Sequence, residues 1–240
     1  MKIVINLSPN HSKKIRPKKE IKFVIIHYTG MQSEIESIKR LKNPRYKVSC
    51  HYLINRRGNI IQMVSEKFIA WHAGKSRWKK VINLNSNSIG IELVNKGHQF
   101  GYETFCSAQI KSLIKLCKSL KKKYAIKKEN FLGHSDISPL RKIDPGEKFP
   151  WKKLSTYQIG KWYKLNKEFK KISSKDIEIM FFKNLNKLGF RYFSVYKRNF
   201  KDKKIIKSFQ QHYVPDNVTG KIDEKTYKIS HFLTHQSKIS

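Results

Sequence analysis

Five short segments of this chain have the composition of strands, and three of them run straight into a residue that can carry chemistry. Residues 22–28, 50–55, 59–64, 88–95 and 130–134 are rich in β-branched and aromatic side chains and are bounded by turn formers, which suits a pleated, buried surface. Phe23-Val24-Ile25-Ile26 closes on His27, Ser88-Ile89-Gly90-Ile91 on Glu92, and Asn130-Phe131-Leu132-Gly133 on His134. Arg56-Arg57-Gly58-Asn59 reads as a hairpin turn between the second and third segments. The strongest helix spans about 105–124. There Ile110, Leu113, Ile114, Cys117 and Leu120 recur at helical spacing, and Lys121-Lys122-Lys123 sits near the C-terminal end, where cations complement the helix dipole. A shorter helix over 33–41 precedes Pro44. These elements predict an α/β fold, a central, mainly mixed sheet flanked by helices, with the strand ends bearing His27, Glu92 and His134 gathered into one cleft.

His27, His134 and Asp144 read as the ligands of one catalytic zinc. Each ends an apolar or turn-rich segment, Asp144 within Arg141-Lys142-Ile143-Asp144-Pro145-Gly146. The ten residues from His134 to Asp144 allow one loop to fold back and present both. Two neutral imidazoles and a carboxylate leave a fourth tetrahedral position for water, as catalytic zinc sites do. Taken singly, each has a plainer reading: a strand-end histidine is more often a hydrogen-bonded structural residue, and Asp-Pro-Gly is a common turn.

At 240 residues the chain accommodates one core of about 150 residues and a smaller second unit. The expected partition is a catalytic domain over 1–155, a lysine-rich connector over 156–174, with Trp162 and Tyr163 packing back, and a small α-helical domain over 175–240. In the last, Ile177, Ile179, Met180, Phe182, Leu185 and Leu188 predict a helix ended by Gly189, a second helix covers about 201–212, and a third begins near Asp223.

Fifty-two Lys and Arg against 17 Asp and Glu give a net charge of +35, which makes a polyanion the rival partner. The lysines are scattered through every segment, however, without finger spacing, a recognition-helix pattern or an RNA-binding aromatic motif, so no nucleic acid is expected. Long-range attraction of anionic ligands is the auxiliary role left to the charge. Cys50, Cys106 and Cys117 form no Cys-x-x-Cys pair and read as reduced, mostly buried thiols. Met1 to Asn10 has too short an apolar run for a signal peptide and no lipidation cysteine, and no transmembrane segment appears. The sequence as written predicts a cytoplasmic chain, with a periplasmic one as the alternative.

His27-Tyr28-Thr29-Gly30-Met31, His51-Tyr52-Leu53-Ile54, Ala70-Trp71-His72-Ala73-Gly74, Ser88-Ile89-Gly90-Ile91-Glu92, Gly133-His134-Ser135-Asp136-Ile137 and Arg141 to Gly146 together resemble the zinc-dependent N-acetylmuramoyl-L-alanine amidases, a family that includes the anhydromuropeptide amidases and is related to peptidoglycan recognition proteins. The resemblance runs in order over roughly residues 5–155. It implies hydrolysis of the amide between the lactyl group of N-acetylmuramic acid and L-alanine, with one zinc as cofactor and peptidoglycan fragments as partners. It also implies that His27, His134 and Asp144 are the zinc ligands, Glu92 the catalytic carboxylate and Lys142 the catalytic lysine. Alternation places Glu92 on the face of Ser88 and Gly90, opposite Ile89, Ile91 and Leu93, where it could move a proton between water and the leaving amine. Lys142 could reach the developing oxyanion. The plainer readings are an exposed strand carboxylate and a solvated lysine.

Trp71 and His72 are candidate substrate contacts, with a Trp capping the core as the competing account. His51 is expected as a wall or support of the site, not a ligand. Members of the family without an export signal recycle 1,6-anhydro muropeptides, so recycling is the role implied. Phe209-Gln210-Gln211 followed by Val218-Thr219-Gly220-Lys221-Ile222-Asp223 and Thr226 resembles the three-helix peptidoglycan-binding domain, with a degenerate first repeat. Two other classes compete: a non-catalytic muropeptide-binding protein, which would lack a full metal site, and a basic nucleic-acid-binding protein, whose retention would fall steeply with salt and ignore chelators.

Overall fold

The computed structural model describes residues 2–165 and 176–235. The connector expected over 156–174 therefore lies partly outside the described residues, as do the last five residues of the chain. Ten strands and seven α-helices are described. The strands are β1 (Ile3–Ile5), β2 (His11–Ser12), β3 (Phe23–Tyr28), β4 (Tyr52–Ile54), β5 (Ile60–Gln62), β6 (Ile69–Ala70), β7 (Arg77–Trp78), β8 (Val81–Ile82), β9 (Ser88–Leu93) and β10 (Phe131–Gly133). The helices are α1 (Glu34–Lys42), α2 (Ser107–Tyr124), α3 (His134–Ile137), α4 (Trp151–Ser155), α5 (Ile177–Leu188), α6 (Asp202–Tyr213) and α7 (Glu224–His235).

Six strands form one mixed sheet in the order β1-β5-β4-β9-β3-β10. The β4–β5 hairpin is antiparallel, while β4, β9 and β3 run parallel at the centre and β10 continues parallel to β3 at one edge. Central parallel strands are covered on both faces, and their near-continuous apolar runs follow from that. On one face Val24, Ile26, Ile89, Ile91 and Leu93 meet Ile110, Leu113, Cys117 and Leu120 of α2. On the other, Phe23, Ile25 and Leu132 share a core with Phe181, Phe182 and Leu185 of α5, Ile205 and Phe209 of α6, and Tyr227 and Leu233 of α7. Trp162 packs against both clusters and Tyr163 against the second.

Local signals explain the boundaries. Ser33 caps α1 by accepting the amide of Glu36. Gly189 ends α5 at φ +134, where a Cβ would lie 2.4 Å from the Trp78 ring. Near Asp223 the third C-terminal helix starts where expected, the Asp223 carboxylate accepting the amide of Thr226. The structure differs from the sequence expectation at His134, which opens α3 instead of entering a loop: Asp136 accepts the Gly133 amide at 2.7 Å and closes a helical turn there. Cys50 and Cys117 are buried free thiols and Cys106 is half-buried. No helix among the described residues is long and apolar enough to cross a membrane.

Beneath β4 and β5, the buried Glu66 carboxylate accepts hydrogen bonds from Tyr52, Tyr124 and Lys123. Burial pushes its pKa up, but Lys123 and the two phenols outweigh this and hold it below the ordinary carboxylate value. A depressed carboxylate pKa contributes stability above the unfolded-state value and loses it as the pH falls through the folded-state value. Glu66→Gln is therefore expected to lower the melting temperature at pH 7, with a loss on the order of 1–3 kcal/mol, and the gap to wild type should close in acid. A pH-independent gap in paired melts would show that the charge is not what matters.

Candidate active site and metal centre

The parallel register of β3 and β9 sets His27 directly beside Glu92, and Ile25 beside Gly90. Both functional residues thus emerge on the same face, at the carboxyl ends of adjacent strands. His134 follows the end of β10, the other neighbour of β3. The loop after α3 folds back, and the Ser135 amide donates to the Asp144 carbonyl at 2.8 Å, which holds the carboxylate of Asp144 against the two imidazoles.

Three ligand atoms converge. His27 Nδ1 lies 3.0 Å from His134 Nδ1, and Asp144 Oδ2 lies 3.1 Å from each. All three residues are buried. The outer hydrogen bonds fix the tautomers. Ser88 Oγ donates to the Leu84 carbonyl at 2.6 Å, so it accepts from His72 Nε2 at 3.1 Å. His72 Nδ1 then carries a lone pair, and His27 Nε2–H donates to it at 3.0 Å. His134 Nε2–H donates to the Ala73 carbonyl at 3.1 Å. With each imidazole neutral its remaining lone pair is on Nδ1, so the two Nδ1 atoms and the Asp144 oxygen face one small space that a divalent cation would fill. A set of two imidazoles and one carboxylate, each imidazole oriented by an outer acceptor, fits zinc with an open position.

Electrostatics place His27 and Asp144 in their ligand-ready states. Burial and the neighbouring His134 bring His27 down to about 4, so it is neutral at pH 7. Burial alone would push Asp144 up, but His134 and His27 pull it well below the carboxylate range. Burial raises Glu92 to about 8, the repulsion of Asp144 adding to this and Lys142 opposing it. Its Oε2 is buried and has no hydrogen-bond partner among the described residues. A carboxyl with no structural partner, near neutrality in pKa and facing a cleft, is suited to carrying a proton.

A cleft of about 570 Å³ opens over these groups, and Trp71, His72, Glu92, Lys142, Arg40 and Arg141 are among the residues lining it. Lys142 is half-buried in that wall. His51 lies outside the lining; it is fully buried, accepts the Gly90 amide at 3.0 Å and lies 3.2 Å from the Phe68 carbonyl. His72, expected as a substrate contact, both lines the cleft and stands behind His27 as its hydrogen-bond acceptor. Sequence reasoning missed two residues. Ser88 terminates the His27–His72 chain, and its place on the Glu92 face was the available signal. Arg141 ties the Ala73 and Lys75 carbonyls to Ser138, joining the two loops that flank the site.

Gly90 is required by this packing, because a Cβ there would meet the His72 ring at 2.3–2.6 Å. Gly90→Ala is expected to displace His72, release the Nε2 side of His27 and weaken metal binding by about 10–100-fold, as measured by chelator competition. Wild-type affinity would mean that the His72 chain does not orient the ligand.

The family model described as N-acetylmuramoyl-L-alanine amidase matches residues 17–147. The N-acetylmuramoyl-L-alanine amidase AmiD of Escherichia coli K12 is 35% identical over 229 residues, 89% of this chain and 82% of its own. The 1,6-anhydro-N-acetylmuramyl-L-alanine amidase AmpD of Haemophilus influenzae is 35% identical over 164 residues, 61% of this chain and 86% of its own. The solved complex of E. coli AmiD with anhydro-N-acetylmuramic acid-L-Ala-D-gamma-Glu-L-Lys superposes with a TM-score of 0.78 at 31% identity, covering 94% of this chain and 92% of that one. Because the matched segment is more than half of this chain and one relative follows most of its length, the chain belongs to the N-acetylmuramoyl-L-alanine amidase family.

Proposed function

We propose that this chain uses one zinc to hydrolyse the amide between N-acetylmuramic acid, in its 1,6-anhydro form, and the L-alanine of peptidoglycan fragments. The observation that carries the reading is the convergence of His27 Nδ1, His134 Nδ1 and Asp144 Oδ2 beside the unpartnered carboxyl of Glu92. His27, His134 and Asp144 would hold the zinc, which when bound polarises an amide carbonyl and acidifies water. Glu92 as the carboxylate takes a proton from the attacking water and passes it to the alanine nitrogen as the C–N bond breaks; the water oxygen ends in the lactyl carboxylate. The Lys142 ammonium stabilises the negative charge that the carbonyl oxygen gains on becoming tetrahedral. Arg40, Arg141 and Lys142 on the cleft wall suit a substrate bearing carboxylates, and Trp71 offers an apolar face to the sugar or a peptide methyl.

The test is to incubate the zinc-loaded protein with 1,6-anhydro-N-acetylmuramyl-L-Ala-D-gamma-Glu-L-Lys, with and without chelator, and to follow the products by mass spectrometry. Chelator-sensitive release of the free sugar acid and free tripeptide is expected. Intact substrate in every arm, with the non-anhydro form also uncut, would overturn the reading.

For residues 175–240 we propose a peptidoglycan-binding-like unit. The residues behind that resemblance also have internal work: the Gln210 side chain accepts the Gly220 amide at 2.7 Å and donates to the Lys221 carbonyl at 2.9 Å, holding the turn before α7. Retention of the metal-free chain on insoluble wall is expected, and its free passage through wall sediment would remove the binding role.

A further inference from the structure

Helix α6 lays a polar stripe along the segment that carries two of the three proposed ligands. Lys204, Ser208, Gln211 and His212 recur at helical spacing and so share one face of α6. Each of them meets the 134–147 segment. Lys204 Nζ donates to the Leu140 carbonyl at 3.2 Å, Ser208 Oγ to the Ser135 carbonyl at 2.8 Å, Gln211 Nε2 to Glu147 at 3.4 Å, and His212 Nδ1 to Asp136 Oδ2 at 2.8 Å. The adjoining face, through Ile205, Phe209 and Tyr213, is buried in the core shared with β3 and β10.

Two of these contacts act next to the ligands. Ser135 follows His134, and its two peptide groups are held from opposite sides: its amide donates to the Asp144 carbonyl, while its carbonyl accepts from Ser208. Asp136 accepts both the His212 ring and the Gly133 amide, so one carboxylate oxygen joins α6 to the residue before His134. His212 cannot easily shift. Its ring is stacked 4.0 Å from Trp151 and 4.0 Å from Tyr213, and the residue is 3% exposed. Among the described residues Asp136 Oδ1 and His212 Nε2 are buried without partners, and the Nδ1–Oδ2 bond links the two elements.

We infer that Ser208 and His212 are positioning residues of the metal centre, acting through Ser135 and Asp136 to hold His134 and Asp144 in the geometry that zinc requires. The inference rests on the proposed zinc site. It makes α6 a splint for the ligand loop, in addition to whatever its outer surface binds.

Full-length variants test it. His212→Phe keeps an aromatic ring between Trp151 and Tyr213 and removes the donor; Ser208→Ala removes one hydroxyl from a well-packed position. Ile205→Val and Phe209→Leu, on the core side of the same helix, serve as controls for general loosening. Zinc dissociation constants come from competition with a chromophoric chelator, the visible spectrum of the cobalt-substituted protein reports ligand geometry, and melting of the metal-free proteins reports the fold. His212→Phe is expected to weaken zinc binding by about 10-fold or more and to alter the cobalt spectrum. Ser208→Ala should weaken it by about 3- to 10-fold, and it decides the matter if His212→Phe does not fold. Controls with equal loss of melting temperature should keep wild-type affinity and spectrum. Unchanged affinity and spectrum in the stripe variants, or equal weakening in the controls, would overturn the inference. A wild-type chain that binds no zinc would instead sink the metal reading on which it rests.

Discussion

Glu92→Ala is expected to lower kcat by about 10²- to 10⁴-fold while zinc content stays at the wild-type level. The Glu92 carboxyl is beside His27 in register but is not one of the three converging groups, and among the described residues its Oε2 has no hydrogen-bond partner. Removing it deletes no structural hydrogen bond from that atom and relieves a buried carboxyl whose pKa burial has pushed to about 8. The fold should therefore tolerate the change, and melting at pH 7 should not fall. Glu92→Gln, which keeps the shape and loses the proton, should be as inactive as Glu92→Ala. Near-normal turnover in the glutamine variant would dismiss proton transfer, and zinc lost in parallel with activity would make Glu92 a support of the metal instead.

Asp144→Ala should remove metal and activity together. Its carboxylate oxygen is within 3.1 Å of both imidazole Nδ1 atoms, and without it the site keeps two neutral donors and no anion to offset the cation's charge. Zinc affinity is expected to fall by more than about 100-fold, beyond the effect of disturbing an outer hydrogen bond. The loop itself should survive, because the bond from the Ser135 amide uses the Asp144 backbone carbonyl. The observable is the rise in melting temperature on adding zinc, which follows from ligand binding to the folded state alone. It should vanish in Asp144→Ala while the metal-free melt stays close to wild type. A retained zinc shift would show that the metal sits elsewhere.

The parts of this fold that could be read from the sequence are those whose burial leaves a period. Ile110, Leu113, Ile114, Cys117 and Leu120 mark α2 because one helix face meets the sheet. Phe23 to Ile26 marks β3 because both of its faces are covered. Two-residue pairings such as β7 with β8 are too short to carry a period, and they are fixed by turns and by Trp78 against Phe190. At the site, alternation could place Glu92 on the face of Ser88 and Gly90, whereas His27 on that same face follows from the β3–β9 register. Neither His72 behind His27 nor the α6 stripe against the ligand loop could be foreseen in that way, since both depend on contacts between segments distant in the chain. His134 was displaced from a loop to a helix start by Asp136, whose carboxylate completes the turn.

The pairing of His27 with Glu92 across two parallel strands has a consequence for how molecules of this protein should be counted. Successive side chains alternate between faces, so a slip of β9 by one residue would send Glu92 into the apolar layer under α2 and bring Ile91 or Leu93 into the cleft. Such a chain would lack the Glu92 carboxyl in the cleft and, like Glu92→Ala, should keep no more than about a hundredth of the turnover. At full metal loading, turnover per mole of protein would then fall with the share of slipped chains, so specific activity would report how many molecules carry the carboxyl in the cleft.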